Sequence, residues 1–224
     1  MLLNEKHSII LGPPSTGKTS IAFRKALISC THHHDHVIFI TTEERAKRRC
    51  PLEITSLSFS NTSQMTQLNN IHMKYFDSNQ GSEPIIRYLS HFHLLSRQPN
   101  LIIIDDVSIF CPTFEEKFRL SSLLEKVCMH ANILHEWTSN TTQQNINTRK
   151  EENSNILENI RHCRIIITDT LNEVGEYPDI KAFSNMIKYR TEQISTNSFQ
   201  VEKMNGGAIF KYKIMNGTMI QVDD

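Results

Sequence analysis

Short apolar runs alternate with longer amphipathic stretches along most of the chain. Ser8–Leu11 is branched and apolar and stops at Gly12, so it predicts a buried strand. Lys18–Ser29 contains no Gly or Pro and spaces Ile21, Ala22, Ala26 and Leu27 as one helix face. Val37–Ile40 predicts a second strand, and Glu43–Arg49 a short helix stopped by Pro51. Leu52–Asn70, rich in Ser, Thr, Asn and Gln, suggests no regular element. Ile71–Phe76 predicts a strand, and Pro84–Ser96 a helix with proline in its first turn. Leu101–Ile104 is four branched apolar residues closed by Asp105 and Asp106, the pattern of a strand covered on both faces. Phe114–Met129 has helical spacing, Ala131–Trp137 suggests a strand, and the polar Thr138–Ser154 suggests a long mobile loop. Ile156–Arg161 predicts a helix and Arg164–Thr168 another buried strand. Phe199–Lys203, Ala208–Met215 and Thr218–Val222 predict strands, separated by the hairpin signals Asn205-Gly206 and Asn216-Gly217. Strand–helix repeats followed by an antiparallel tail predict an α/β fold. A mostly parallel central sheet would be flanked by helices and carry a C-terminal antiparallel β-hairpin, all within one domain spanning residues 1–224.

Candidate chemistry concentrates between the first strand and the first helix. Gly12, Pro13, Pro14, Ser15, Thr16, Gly17, Lys18 and Thr19 fit G-x-x-x-x-G-K-[ST], with Ser20 following. With 7 Gly in 224 residues, such a match is expected by chance about 0.002 times in a chain of this composition. Glycines let backbone N–H groups converge on phosphate oxygens, and the helix N-terminus adds positive potential. Lys18 would reach the β- and γ-phosphates of ATP, and the Thr19 hydroxyl would ligate Mg²⁺. Asp105, ending a buried strand with Asp106 beside it, supplies the carboxylate for the same Mg²⁺. Glu43 and Glu44 follow the second strand. They suit either orientation of an attacking water or simple stabilisation of a helix N-terminus. No NKxD-like element argues for guanine, so ATP is the expected nucleotide.

Other clusters carry less. His32–His36 (HHHDH) reads as a surface run that binds metals only adventitiously. Arg45–Arg49 (RAKRR) reads as a solvated helix face. Arg149 and Lys150 are candidate DNA contacts, opposed by the adjacent Glu151 and Glu152. A small-molecule kinase would need a lid of arginines, for which Arg161 and Arg164 are too few.

Charge narrows the partners. Lys+Arg is 24 and Asp+Glu is 24, a net charge of zero, which disfavours coating nucleic acid by bulk electrostatics. The hydrophobic fraction of 38% and mean hydropathy of −0.37 are lean for a free-standing core and hint at a partner. No apolar run approaches a membrane span, and MLLNEKHS does not resemble a signal peptide. Five cysteines without CxxC spacing favour scattered thiols in a reducing compartment.

HSIILGPPSTGKT, VIFITTEE, IHMKYFDSNQGSEPIIRYLSHFHLL, QPNLIIIDDVSIF and the terminal hairpin together resemble the P-loop NTPase core of RecA-type recombinase paralogues. The likeness is greatest to the SWIM-domain-associated ATPase subunit of Shu-type homologous recombination complexes. It implies that Glu43 is the catalytic glutamate, acting with Lys18 in an ATPase stimulated by DNA. It implies a heterodimer with a SWIM-domain zinc-binding protein, binding to single-stranded DNA, support of the recombinase filament and a nuclear location. Thr138–Ser154 would correspond to a recombinase DNA-binding loop, although it offers few cations and no aromatic for stacking. Lacking the N-terminal helical domain of full recombinases, the chain resembles a minimal paralogue. The alternative is a structural subunit whose nucleotide site only stabilises the fold.

Overall fold

The computed structural model describes residues 7–30, 35–48, 67–94, 97–147, 162–171, 177, 179–204, 208–215 and 218–222. Among these, strands β1 (His7–Gly12), β2 (Val37–Thr41), β3 (Ile71–Tyr75), β4 (Leu101–Ile104), β5 (Arg164–Thr170), β6 (Ile187–Ser195), β7 (Ser198–Lys203), β8 (Ala208–Met215) and β9 (Thr218–Val222) form one sheet. Its order is β3-β2-β4-β5-β1-β6-β7-β8-β9. The pairings from β3 to β6 are parallel, and those from β6 to β9 antiparallel. Among the described residues the α-helices include α1 (Lys18–Ser29), α2 (Glu43–Arg48), α3 (Glu83–Ser90) and α4 (Phe114–Asn147). None of the helices among the described residues is long and apolar enough to cross a membrane.

The near-continuous apolar runs follow from burial on both faces of the parallel strands. Ile9, Leu11, Ile38, Ile40, Ile102, Ile104, Ile165 and Ile167 point into the core beneath α3 and α4. Their sequence neighbours Ile10, Val37, Phe39, Leu101, Ile103 and Ile166 point to the opposite face, against Ile21, Ala22, Phe23 and Ala26 of α1. Each such side chain contributes about 1.5–3 kcal/mol by leaving water. The antiparallel strands extend the α1 face, where Phe199 and Tyr212 stack at 5.3 Å between ring centroids.

Three sequence expectations change. Ala131–Trp137 is helix, because α4 runs unbroken for 34 residues. Leu120, Leu124, Val127, Cys128 and Ala131 are all buried at three- and four-residue spacing, and no Gly or Pro interrupts the stretch. Residues 138–147 of the expected loop therefore continue the helix, while the rest of that stretch lies outside the described residues, as does Ile156–Arg161. Ile187–Ser195 is a strand that no apolar run marks in the sequence. It alternates, burying Tyr189 and Thr191 between exposed or half-buried neighbours, and its parallel pairing with β1 brings the antiparallel strands to the Gly12–Thr19 segment.

Candidate functional site

The C-terminal ends of the parallel strands bring the candidate residues together, the edge of an open α/β sheet where ligands generally bind. β1 ends at Gly12, β2 at Thr41, β4 runs into Asp105 and Asp106, β5 ends in Thr168, Asp169 and Thr170, and Thr191 lies on β6 beside the loop.

The Gly12–Thr19 segment turns back from β1 into α1 through two left-handed residues, Ser15 (φ 64°) and Gly17 (φ 73°). Glycine takes that conformation without the Cβ penalty of other residues. Gly12 is held to glycine for another reason: an added Cβ would lie 1.9 Å from Thr191 Oγ1 and 2.8 Å from the Thr191 carbonyl oxygen. Pro13, Pro14 and Ser15 form the exposed lip, while Thr16 is buried. Its hydroxyl donates to the Pro13 carbonyl at 3.0 Å and lies 2.7 Å from the Thr191 hydroxyl. The Thr16 carbonyl accepts from the Tyr212 hydroxyl of β8. The antiparallel strands thus clamp the loop from one side.

Helix α1 begins with no side-chain cap on Gly17 and no acidic residue in its first turn. Its first internal bond runs from Ile21 N–H to the Gly17 carbonyl at 2.9 Å. An N-terminus of this kind attracts anions through its backbone N–H groups and dipole. The Lys18 side chain is only 6% exposed and folds back over the loop. Its Nζ donates to the Gly12 carbonyl at 2.8 Å and the Pro13 carbonyl at 2.6 Å. Burial pulls its pKa down to about 8, against the attraction of Asp106 and Asp105. Ser20, next on α1, is buried.

Asp105, 1% exposed, is the node of the site. Its Oδ1 accepts from the Thr19 hydroxyl and from the Thr168 hydroxyl, each at 2.8 Å. Its Oδ2 lies 3.2 Å from Arg45 Nε and 3.4 Å from the Thr41 hydroxyl. Asp106 adopts the left-handed region (φ 60°), and its backbone N–H donates to Thr168 Oγ1 at 2.8 Å. Its carboxylate meets Arg45 Nη1 at 2.7 Å. Burial raises the Asp106 pKa to about 6, assisted by Asp169 and Asp105, while Arg45 acts in the opposite direction. Between Thr19, Thr41, Arg45 and Asp105 lies a cavity of about 10 Å³ that also touches Phe39, Ala46 and Met73. That space is at the lower limit for one water molecule.

Asp169, fully buried on β5, closes the far side. It accepts from the Ser108 N–H at 3.2 Å, the Ser108 hydroxyl at 2.8 Å and the Tyr177 hydroxyl. Lys117 of α4 stands 3.6 Å from it and 2.8 Å from Asp179, with its ammonium 4.9 Å from the Tyr177 ring centroid.

The structure therefore brings Lys18, Thr19 and Asp105 into one cluster. Glu43 stands apart: its carboxylate is 64% exposed and pairs with Lys47 at 2.6 Å, a bond that lowers its pKa. The basic run expected to be a solvated helix face contributes Arg45 to the cluster instead. Its signal was position, since it lies just past the end of a strand that pairs in parallel with the Asp-ended strand. Arg149 and Lys150, like His32–His34 of the histidine run, lie outside the described residues. His36 sits 3.0 Å from the Arg97 carbonyl and edge-on to His72, and burial lowers its pKa to about 4. Among the described residues no group of three or more His, Cys, Asp and Glu side chains is arranged to hold a metal. A Mg²⁺ held by one carboxylate, one hydroxyl and phosphate oxygens needs no such group. The oxygen donors of Thr19 and Asp105 fit that chemistry.

Comparison with protein-family models and with curated proteins gave no match to this chain.

Proposed function

We propose that the chain is an ATP-binding, weakly hydrolysing subunit with a RecA-like core. It would pair with a SWIM-domain zinc-binding protein, bind single-stranded DNA and promote recombinase filament function in homologous recombination in the nucleus. One observation carries the nucleotide part. Lys18 and Thr19 open α1 at the end of the G-x-x-x-x-G-K-T loop, and the Thr19 hydroxyl reaches Asp105 at 2.8 Å. On this reading the α1 N-terminus would hold the triphosphate, and Lys18, whose Nζ donates here to the Gly12 and Pro13 carbonyls, would supply it with positive charge. Thr19 and Asp105 would hold Mg²⁺, whose charge favours the bound triphosphate. The parallel core with its antiparallel extension beyond β6 supports the RecA-like assignment. The partner, DNA and filament roles rest on the sequence resemblance.

A fluorescent ATP analogue titrated with Mg²⁺ tests the site. Lys18→Ala should weaken binding about 10- to 100-fold, the worth of one or two charge-assisted hydrogen bonds, with circular dichroism unchanged. Equal affinity in the variant would end the assignment.

A second reading has its own observation. Glu43, the residue expected to position water, faces solvent in an ion pair with Lys47. A subunit whose nucleotide stabilises an interaction surface without turnover would tolerate that arrangement. Phosphate release by the purified pair separates the two readings. Turnover stimulated by single-stranded DNA and lost in Glu43→Gln supports the ATPase, and no release with DNA present supports the structural subunit.

A further inference from the structure

We infer that Arg45 is a built-in counter-ion that occupies the divalent-cation side of the site and must leave Asp105 before a metal can enter. The inference rests on the proposed nucleotide site for its biological meaning, although its central test needs no nucleotide.

The geometry sets the competition. Asp105 cannot move aside: it is 1% exposed and both its oxygens are engaged, Oδ1 by two hydroxyls at 2.8 Å. Arg45 can move, because its side chain is 19% exposed and it sits on a helix of only six residues. Its guanidinium bridges the two carboxylates, at 3.2 Å from Asp105 Oδ2 and 2.7 Å from Asp106. Arg45 also lines the small cavity that Thr19, Thr41 and Asp105 share with Phe39, Ala46 and Met73. A divalent ion bound to Asp105 would face a guanidinium within a few ångströms, with little water between to screen the repulsion. Cation and Arg45 therefore exclude one another. Without metal, Arg45 neutralises charge that would otherwise repel the phosphates.

Two signs follow. Removing Arg45 should tighten metal binding, and it should weaken metal-free nucleotide binding, because two carboxylates are then left facing the phosphates. A residue that simply contacted phosphate would weaken binding with and without metal alike.

The experiment titrates Mn²⁺ alone into the full chain and follows the electron paramagnetic resonance signal of the free ion. Arg45→Gln should lower the half-saturating Mn²⁺ at least tenfold relative to wild type, and adding Asp105→Asn should abolish that gain. Arg45→Lys, whose point charge cannot bridge both carboxylates, should give a smaller gain in the same direction. It keeps the test decisive if Arg45→Gln proves unstable in a thermal melt. Unchanged or weaker Mn²⁺ binding in these variants would overturn the inference. In a second arm the affinity for the ATP analogue is measured in Mg²⁺ and in EDTA. The ratio of the two should widen at least tenfold in Arg45→Gln, and an equal loss under both conditions would count against the inference. If wild type binds no nucleotide at all, the functional reading fails, while the Mn²⁺ titration still decides the role of Arg45.

Discussion

Lys18 is buried and titrates near 8, with consequences that can be measured. Its pKa is depressed because the ammonium loses water. The folded state therefore disfavours the charged form; the cost is complete below about pH 8 and fades as pH rises from there toward the ordinary value of 10.5. A bound triphosphate would restore the charge. Nucleotide binding should accordingly be flat between about pH 7 and 8 and weaken toward tenfold per pH unit above it, as each binding event takes up a proton. Affinity measured from pH 7 to 9.5 checks this, and Lys18→Arg, which cannot lose its proton in that range, should remove the slope. Gly12 makes a second prediction at the same scale. Gly12→Ala would force a methyl group into Thr191, at 1.9 Å from the hydroxyl and 2.8 Å from the backbone oxygen. The overpacking should cost about 1–3 kcal/mol in urea denaturation. Thr191→Ala in the same chain should recover only part of the loss, since the backbone carbonyl stays in place. Sequence spacing singled out Gly12, Lys18 and Thr19, because their motif fixes residue types at fixed offsets, and Asp105 was marked by closing the branched apolar run Leu101–Ile104. It could not single out Arg45, whose partners lie 60 and 61 residues away and meet it only through the β2–β4 pairing.

At the scale of elements, legibility followed burial. The strands covered on both faces announced themselves as apolar runs, and β1, β2, β4 and β5 stand where those runs predicted. β6 was missed because one of its faces carries Lys188, Arg190 and Glu192, leaving only alternation as a signal. The far half of α4 was missed because its polar composition hid the absence of any helix breaker. The missed β6 leads the chain into the strands that reach the loop. The Tyr212 hydroxyl, buried on β8, donates to the Thr16 carbonyl across 196 residues of sequence. Burial raises the Tyr212 pKa, so this donor keeps its proton. Tyr212→Phe removes the donor and leaves a loop carbonyl short of its partner, which should cost about 1–3 kcal/mol of stability. If the antiparallel strands hold the loop in its binding shape, the same variant should lose nucleotide affinity severalfold. A variant that loses stability without affinity would restrict the strands to a structural role.

For the molecule as a whole, the balance of 24 basic and 24 acidic residues limits what the chain can do to DNA unaided. Association with a single strand releases about 0.7 counterion per phosphate neutralised, which sets the slope of log K against log salt. Arg149 and Lys150 are the cations proposed for that contact, so their contribution should give a slope no steeper than about −1.4. Glu151 and Glu152 follow at once in the sequence and would reduce it further. The isolated chain should therefore bind a single-stranded oligonucleotide weakly, with little loss between low and moderate salt. Replacing Arg149 and Lys150 by Ala should flatten what slope there is. If the proposed zinc-binding partner supplies the remaining cations, the pair should bind more tightly and with a visibly steeper slope than this chain alone. Fluorescence anisotropy across a salt series measures both quantities in one experiment. A steep slope from the isolated chain would place the DNA contact on other residues and remove the need for a partner in binding. Equal slopes for chain and pair would mean that the partner contributes no phosphate contacts.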